Sequence, residues 1–176
     1  MQETYVENII EVLKNKRLLE KSLGVKINNK GRIIFVDGNA DKEYLALEVL
    51  QSINLGFSVK RSLTLKKEGY ILQKINIKDI TKRKDLERVR ARIIGTKGKT
   101  LTTLYKLTDC YISIDENNIG IIGDAENIKD AIQAITSIIL GSKQGNVYSR
   151  IERGKKKRKL YDLGLDPTKV INKKEK

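Results

Sequence analysis

The chain has 176 residues, 39% hydrophobic and 33% charged, enough for one ordinary domain or two small ones with a large solvated surface. It contains no histidine and a single cysteine, Cys110, which removes the commonest general base, the commonest zinc ligand and any disulfide framework. No apolar run approaches the ~20 residues that span a bilayer, no signal peptide opens the chain, and the formal net charge is +14 from 36 basic and 22 acidic residues. No paired Asp/Glu constellation stands out either, so the composition favours a binding protein over an enzyme, with no cofactor and no membrane partner. Cys110 reads as a small core residue in a strand-like stretch.

Residues 1–58 repeat a later part of the chain. A gapless shift of 85 positions superposes Ile27 on Ile112, Gly38 on Gly123, Ala40 on Ala125 and Ala46 on Ala131. It continues with Ser52, Ile53, Leu55 and Gly56 on Ser137, Ile138, Leu140 and Gly141. These identities fall at glycine punctuation and along one helix face, which marks a duplicated module. Residues 25–28 and 32–37 are the predicted strands of the first copy. The same shift carries Gly95 to Ile10 and Gly98 to Leu13, so the first copy lacks the glycine loop of the second. It also puts the counterpart of the second copy's leading strand before Met1. The remaining two-stranded pair is marginal alone. Arg32-Ile33-Ile34-Phe35-Val36 would then be an apolar edge needing cover, most simply from the strand Tyr70–Ile77.

Residues 57–69 link the copies, with Ser58 capping a predicted helical turn over Lys60–Leu65 and Lys66-Lys67-Glu68-Gly69 as a loop. Tyr70–Ile77 reads as a strand. Leu86, Val89 and Ile93 then recur at helical spacing, with Arg88 and Arg92 on the opposite face, which predicts a helix over 84–94. Leu101, Leu104 and Leu107 predict a second helix over 99–108. Between them stands Gly95-Thr96-Lys97-Gly98. A P-loop needs a glycine where Ile93 stands and a strand where the basic helix runs, so that reading fails. Alone, such a bracket is usually a helix C-cap glycine and a turn. Gly120-Ile121-Ile122-Gly123 has the same spacing, but its apolar centre reads as a strand end. The basic helix before the first bracket and the helix directly after it point elsewhere. Glycines let a sugar–phosphate chain approach the main chain closely, and the start of the following helix offers free N–H groups to phosphate. Helix, Gly-x-x-Gly and helix is how KH domains clamp single-stranded nucleic acid.

Tyr111–Ile114 alternates as a half-buried strand, Asp115-Glu116-Asn117-Asn118 turns, and Ile119–Ile122 returns. Asp124 caps a third helix whose apolar stripe is Ile128, Ala131, Ile132, Ile135, Ile138 and Ile139, ended by Gly141. Residues 70–141 thus follow the β-α-loop-α-β-β-α order of a type I KH module, three helices covering one face of a three-stranded antiparallel sheet. The expected fold class is α+β: two tandem type I KH-like modules, 1–58 degenerate and 70–141 complete, then a basic tail at 142–176. Charge collects at two places. Residues 81–99 carry a net +6, and so do residues 150–159, together +12 of the +14. That concentration points to a phosphate-rich partner. The tail cations Arg150, Arg153, Lys155, Lys156, Lys157, Arg158 and Lys159 are its expected phosphate contacts. Poor order is expected from about residue 160, around Pro167 and the terminal lysines.

Arg92-Ile93-Ile94-Gly95-Thr96-Lys97-Gly98-Lys99-Thr100, followed by Leu107-Thr108-Asp109-Cys110-Tyr111-Ile112, resembles the second KH domain of the archaeal KH-type ribosomal-RNA-processing proteins. These are relatives of the eukaryotic partner-of-Nob, or Dim-type, family. Ile121-Ile122-Gly123-Asp124, Leu55-Gly56-Phe57-Ser58 and Gly145-Asn146-Val147-Tyr148 extend the likeness over most of residues 20–155. The resemblance implies a cytoplasmic tandem-KH protein that binds the 3′ region of small-subunit rRNA during ribosome maturation. It implies the Nob-type endonuclease and the alpha subunit of initiation factor two as protein partners. Carried over, Gly95, Thr96, Lys97 and Gly98 form the backbone clamp, with Arg88, Arg92 and Lys99 adding phosphate contacts. Ile93, Leu101, Ile112 and Ile114 line an apolar groove for about four bases. The sequence departs from many archaeal members in its first copy, which shows neither a glycine loop nor a leading strand. The other function class the sequence allows is a ribosome-associated adaptor in translation initiation, holding RNA loosely and using the first copy and tail for protein.

Overall fold

Alternation decides the first sheet. In Ile33-Ile34-Phe35-Val36 the side chains of Ile34 and Val36 are fully buried while Ile33 is exposed, as the two-residue period of a strand requires. The computed structural model describes residues 1–165. This segment is the middle of three antiparallel strands, β1 (Gln2–Tyr5), β2 (Lys26–Lys30) and β3 (Ile33–Asp37), in the order β1-β3-β2. The leading strand expected before Met1 therefore lies within the chain. Gln2 pairs with Val36 and Tyr5 with Ile33, so β1 closes the edge that Tyr70–Ile77 was expected to cover. The register explains why the 85-residue shift hid it. Gln2 opposite Val36 corresponds to Gln73 opposite Ile121, so β1 matches its counterpart at a shift of 71, fourteen less than the rest. Those residues are missing between β1 and the second helix, the stretch that carries the glycine loop in the later copy.

What remains there is α1 (Ile9–Lys14) and α2 (Lys16–Leu23), joined at Asn15 alone. Helix α3 (Ala40–Asn54) buries Ala46, Val49, Leu50 and Ile53 against the sheet, the 3.6-residue period of a core-facing helix. Its last residue is tied back to β1: Asn54 Nδ2 donates to the Tyr5 carbonyl at 2.9 Å and Asn54 Oδ1 accepts from Glu7 N–H at 3.0 Å. The first module thus has the complete β-α-α-β-β-α order, and what it has lost is the loop.

The linker forms a short helix, α4 (Val59–Ser62), and a 3-10 turn over Leu63–Lys66, with Val59 and Leu65 buried. The second sheet follows: β4 (Tyr70–Asn76), β5 (Tyr111–Asp115) and β6 (Asn118–Asp124), in the order β4-β6-β5. A one-turn helix, α5 (Ile77–Ile80), precedes α6 (Leu86–Ile94) and α7 (Lys99–Thr108), and α8 (Ile128–Ile139) completes the module. A shared detail confirms the duplication. A Cβ on Gly123 would collide with Cys110 Sγ, and one on Gly38 would lie 3.0 Å from Val25 Cγ1; Val25 and Cys110 are themselves 85 residues apart. Cys110 is fully buried, and burial pushes its thiol pKa up to about 11, so it packs and stays protonated at neutral pH.

The second sheet is covered on both faces, which is why Ile119-Gly120-Ile121-Ile122 is buried without alternation. Ile119 and Ile121 face the core under α6 and α8, with Val89, Ile93 and Ile135. Ile122 enters the first module's core with Leu55, Phe57 and Val59, a burial worth about 2 kcal/mol. Gly120 permits this docking, since a Cβ there would lie 2.6 Å from the Phe57 ring and 3.1 Å from Leu55 Cβ. The two copies are joined face to helix and linker.

Residues 144–162, read above as tail, form the nineteen-residue helix α9 (Gln144–Asp162), with Val147 and Ile151 buried in the second core. The helix thus runs past residue 160, from about which poor order was expected. The part of the disorder expectation beyond residue 165, including Pro167 and Lys173-Lys174-Glu175-Lys176, lies outside the described residues.

Candidate nucleic-acid interface

The loop is built by its glycines for two different reasons. Gly95 ends α6 at φ +73°, and a Cβ there would sit inside Thr100 Oγ1 and 2.7 Å from Thr100 N. Gly98 also has positive φ, +74°, but nothing lies within 4 Å of where its Cβ would be. One glycine lets the chain close on itself, and the other leaves the outside open. Lys97 between them is held in the left-handed region at φ 52°, a strain of the kind that collects at binding sites. Gly98 is the N-cap of α7, and no side chain caps that helix. The Lys99 N–H donates to the Thr96 carbonyl, and the rest of the first turn faces no capping side chain, a position that suits an anion.

The corner is pinned from α9. Gln144 Nε2 donates to the Arg92 carbonyl and to Thr100 Oγ1, both at 2.9 Å, while Arg92 Nη2 donates to the Ser142 carbonyl at 3.0 Å. Gln144 was not among the expected site residues. It lies outside every apolar or charged pattern, and only the likeness over Gly145–Tyr148 marked its neighbourhood.

Two hollows lie along α7, the first of them lined by the loop. The first, about 460 Å³, brings Arg88, Arg92 and Lys99 together with Gly95, Thr96 and Tyr148. Of the expected phosphate contacts, Arg88 also stands 3.8 Å from Asp85. The second, about 660 Å³, is lined by Leu101, Tyr105, Tyr111 and Ile112 together with Lys60, Arg61 and Thr64 of the linker. The Tyr105 and Tyr111 rings stack at 5.0 Å and 22°, and the Arg61 guanidinium sits 5.5 Å over Tyr111. The Tyr105 phenol is held above its ordinary pKa, chiefly by hydrogen-bonding interaction with Tyr111 and then by its charge, so it remains neutral. The linker residues and both tyrosines are additions to the expected site. They are remote in sequence from the loop, and only the docking of the copies juxtaposes them. Ile93 is a correction. It is fully buried in the second core and cannot touch a base, because it shares the inner stripe of α6 with Val89. Ile114 is half-buried and packs on the same core.

The seven cations of residues 150–159 divide. Arg158 pairs with Asp130, which raises its pKa further; Lys155 Nζ stands 3.6 Å from Asp109; Arg150 Nη2 donates to Ser137 Oγ at 2.6 Å. These three brace α9. Lys156, Lys157 and Lys159 are exposed and have no ion pair among the described residues. Arg153, also exposed, donates only to the Ser149 carbonyl, at 3.3 Å. Among the described residues no cluster of three or more Cys, Asp and Glu is placed to hold a metal, and no helix is long and apolar enough to cross a membrane.

Comparison with known proteins places this geometry among relatives. The family described as the eukaryotic type KH-domain, KH-domain type I, matches residues 71–156. A KH domain-containing protein of Methanocaldococcus jannaschii is 28% identical over 149 residues, 81% of this chain and 66% of its own length. The pre-rRNA-processing protein pno1 of Schizosaccharomyces pombe is 31% identical over 137 residues, 73% of this chain and 57% of its own length. The chain thus spans less than two thirds of these curated relatives. Dim2p of Pyrococcus horikoshii superposes with a TM-score of 0.80 at 30% identity, covering 87% of this chain and 99% of that one. The same protein has been solved in an a/eIF2alpha-aDim2p-rRNA complex, again with a TM-score of 0.80 at 30% identity, with 88% and 94% covered.

Proposed function

The chain belongs to the Dim2 (PNO1) family of type I KH proteins, and from that premise we propose that it is an RNA-binding factor of ribosome biogenesis, holding the single-stranded 3′ region of small-subunit rRNA during pre-rRNA processing. The observation that carries the reading is the Gly95–Gly98 loop: an uncapped helix start behind an open glycine, flanked by Arg88, Arg92 and Lys99. Those features suit a phosphate backbone approaching the main chain. The work is binding in the cytoplasm, with no catalytic step and no cofactor. The complex of the Pyrococcus relative with rRNA and the initiation-factor subunit supports both as partners of this chain. A Nob-type endonuclease is the further protein partner proposed.

The test replaces Thr96 and Lys97 with Asp together. Two carboxylates then stand where phosphates would bind, and the core is untouched. Asp also tolerates the left-handed conformation of residue 97. Affinity for single-stranded RNA is expected to fall at least about tenfold with an unchanged thermal midpoint; undiminished affinity at moderate salt would falsify the assignment.

One observation favours the second reading, an adaptor in translation initiation. Ile10, Leu13 and Leu18 are exposed on α1 and α2 of the first module, a face suited to protein. Cosedimentation separates the two: a biogenesis factor travels with immature small subunits, an adaptor with mature ones.

A further inference from the structure

We infer that Gln144, on a helix outside the β-α-α-β-β-α order of the module, is a positioning residue for RNA binding: it holds the glycine loop in its clamping shape before a strand arrives. The inference rests on the RNA-binding reading above and adds to it what sets the clamp. The loop needs such a support. Lys97 keeps a left-handed φ of 52° without being glycine. The turn's own bonds are short-range, Gly98 N–H to the Gly95 carbonyl at 3.1 Å and Lys99 N–H to the Thr96 carbonyl. A strained segment keeps its shape only where its surroundings fix it. Here one side chain fixes both ends. The Arg92 carbonyl lies in the last turn of α6, where carbonyls run out of intrahelical partners, and Thr100 is the second residue of α7, only 3% exposed.

A side-chain amide suits this place because its NH2 group carries two donors, one for the Arg92 carbonyl and one for Thr100 Oγ1, both at 2.9 Å. These acceptors stand three residues before Gly95 and two after Gly98, so the bridge spans the base of the loop and leaves its tip free. Gly95 has no room for a Cβ against Thr100 at that same base. The turn before α9 also takes the Arg92 side chain, whose Nη2 donates to the Ser142 carbonyl at 3.0 Å, which fixes where that guanidinium points. Gln144 is the first residue of α9 and is steadied by it. Val147 and Ile151 are buried in the second core, and Lys155 and Arg158 reach Asp109 and Asp130. The amide is therefore presented by a rigid element. The strand is spared the cost of ordering the loop, and its affinity rises by that amount.

The experiment uses the full chain and labelled random-sequence single-stranded RNA of about eight nucleotides, twice what one KH clamp holds. Gln144→Met keeps the length of the side chain, removes both donors and is expected to lose about tenfold in affinity. In the free protein, amide hydrogen exchange at residues 96–99 should quicken while Ile119 and Ile121 in β6 keep their protection. Thr100→Val removes one acceptor and is expected to lose less, about threefold. The double variant should lose no more than Gln144→Met alone, because both changes break one bridge. A merely structural role predicts a lower thermal midpoint with wild-type affinity in the protein still folded, and that outcome overturns the inference. Unchanged exchange at residues 96–99 overturns it as well, and so do losses that simply add, since Gln144 would then touch the RNA itself. Lys97→Asp is run alongside. If it is impaired while Gln144→Met binds as wild type does, this inference is overturned and the clamp stands. If Lys97→Asp binds undiminished, the RNA-binding reading itself falls, and this inference with it.

Discussion

Gly95 and Gly98 share a sign of φ but not a surrounding, and the difference separates stability from binding. Gly95→Ala combines left-handed strain with a collision against Thr100, about 3 kcal/mol in all, or roughly a 10 °C drop in thermal midpoint for a chain of this size. Gly98→Ala meets open space and is expected to cost only about 1 kcal/mol, yet its methyl stands where the phosphate chain would approach. Thermal melts and RNA titrations on the two variants should therefore rank them oppositely, Gly95→Ala the less stable fold and Gly98→Ala the purer binding defect. A Gly98→Ala protein with wild-type affinity would mean the strand does not approach there. At this scale the sequence was most legible in the loop, where composition alone dictates conformation. It was least legible at Ile93. An apolar residue beside a glycine loop suits a groove and a core equally well, and only the phase of α6 decides between them.

At the scale of elements, α9 is the one whose character changed most on folding. Its charge run reads as a solvated arm, but Val147 and Ile151 anchor it and three of its seven cations hold neighbouring residues. Two glycines, Gly145 and Gly154, and the lack of a wide apolar stripe hid the helix, because short-range pattern cannot register an anchor of two side chains. The division of the cations sharpens the electrostatic expectation. Replacing Arg153, Lys156, Lys157 and Lys159 with Gln should flatten the log K against log salt slope on single-stranded RNA by roughly 3 if all four meet phosphates. The ranking of RNA sequences should stay the same, since phosphate contacts carry no base information. An unchanged slope accompanied by altered preference would assign this face to bases or to protein.

For the molecule as a whole, the shared core around Ile122 makes two modules into one cooperative unit. Ile122→Ala removes a fully buried side chain that the second module contributes to the first module's core and is expected to cost about 3 kcal/mol. Calorimetry should show the single endotherm of wild type moving down intact; a split into two transitions, with the second module's unshifted, would show that the copies fold apart. The element order of the second module could be read from its periodicities, since each element there is long and regular. Two features could not. The strand Gln2–Tyr5 is four residues long and mostly exposed, and a gapless repeat comparison cannot see across a deletion. The contact of Gly120 with Phe57 spans more than sixty residues of sequence and leaves no local trace. The deletion has its own consequence for valence. With α1 and α2 joined at Asn15 alone, the first module has no room for a second clamp, so RNA titrations should saturate at one strand per chain. A protein of that valence does not cross-link two RNA segments by itself.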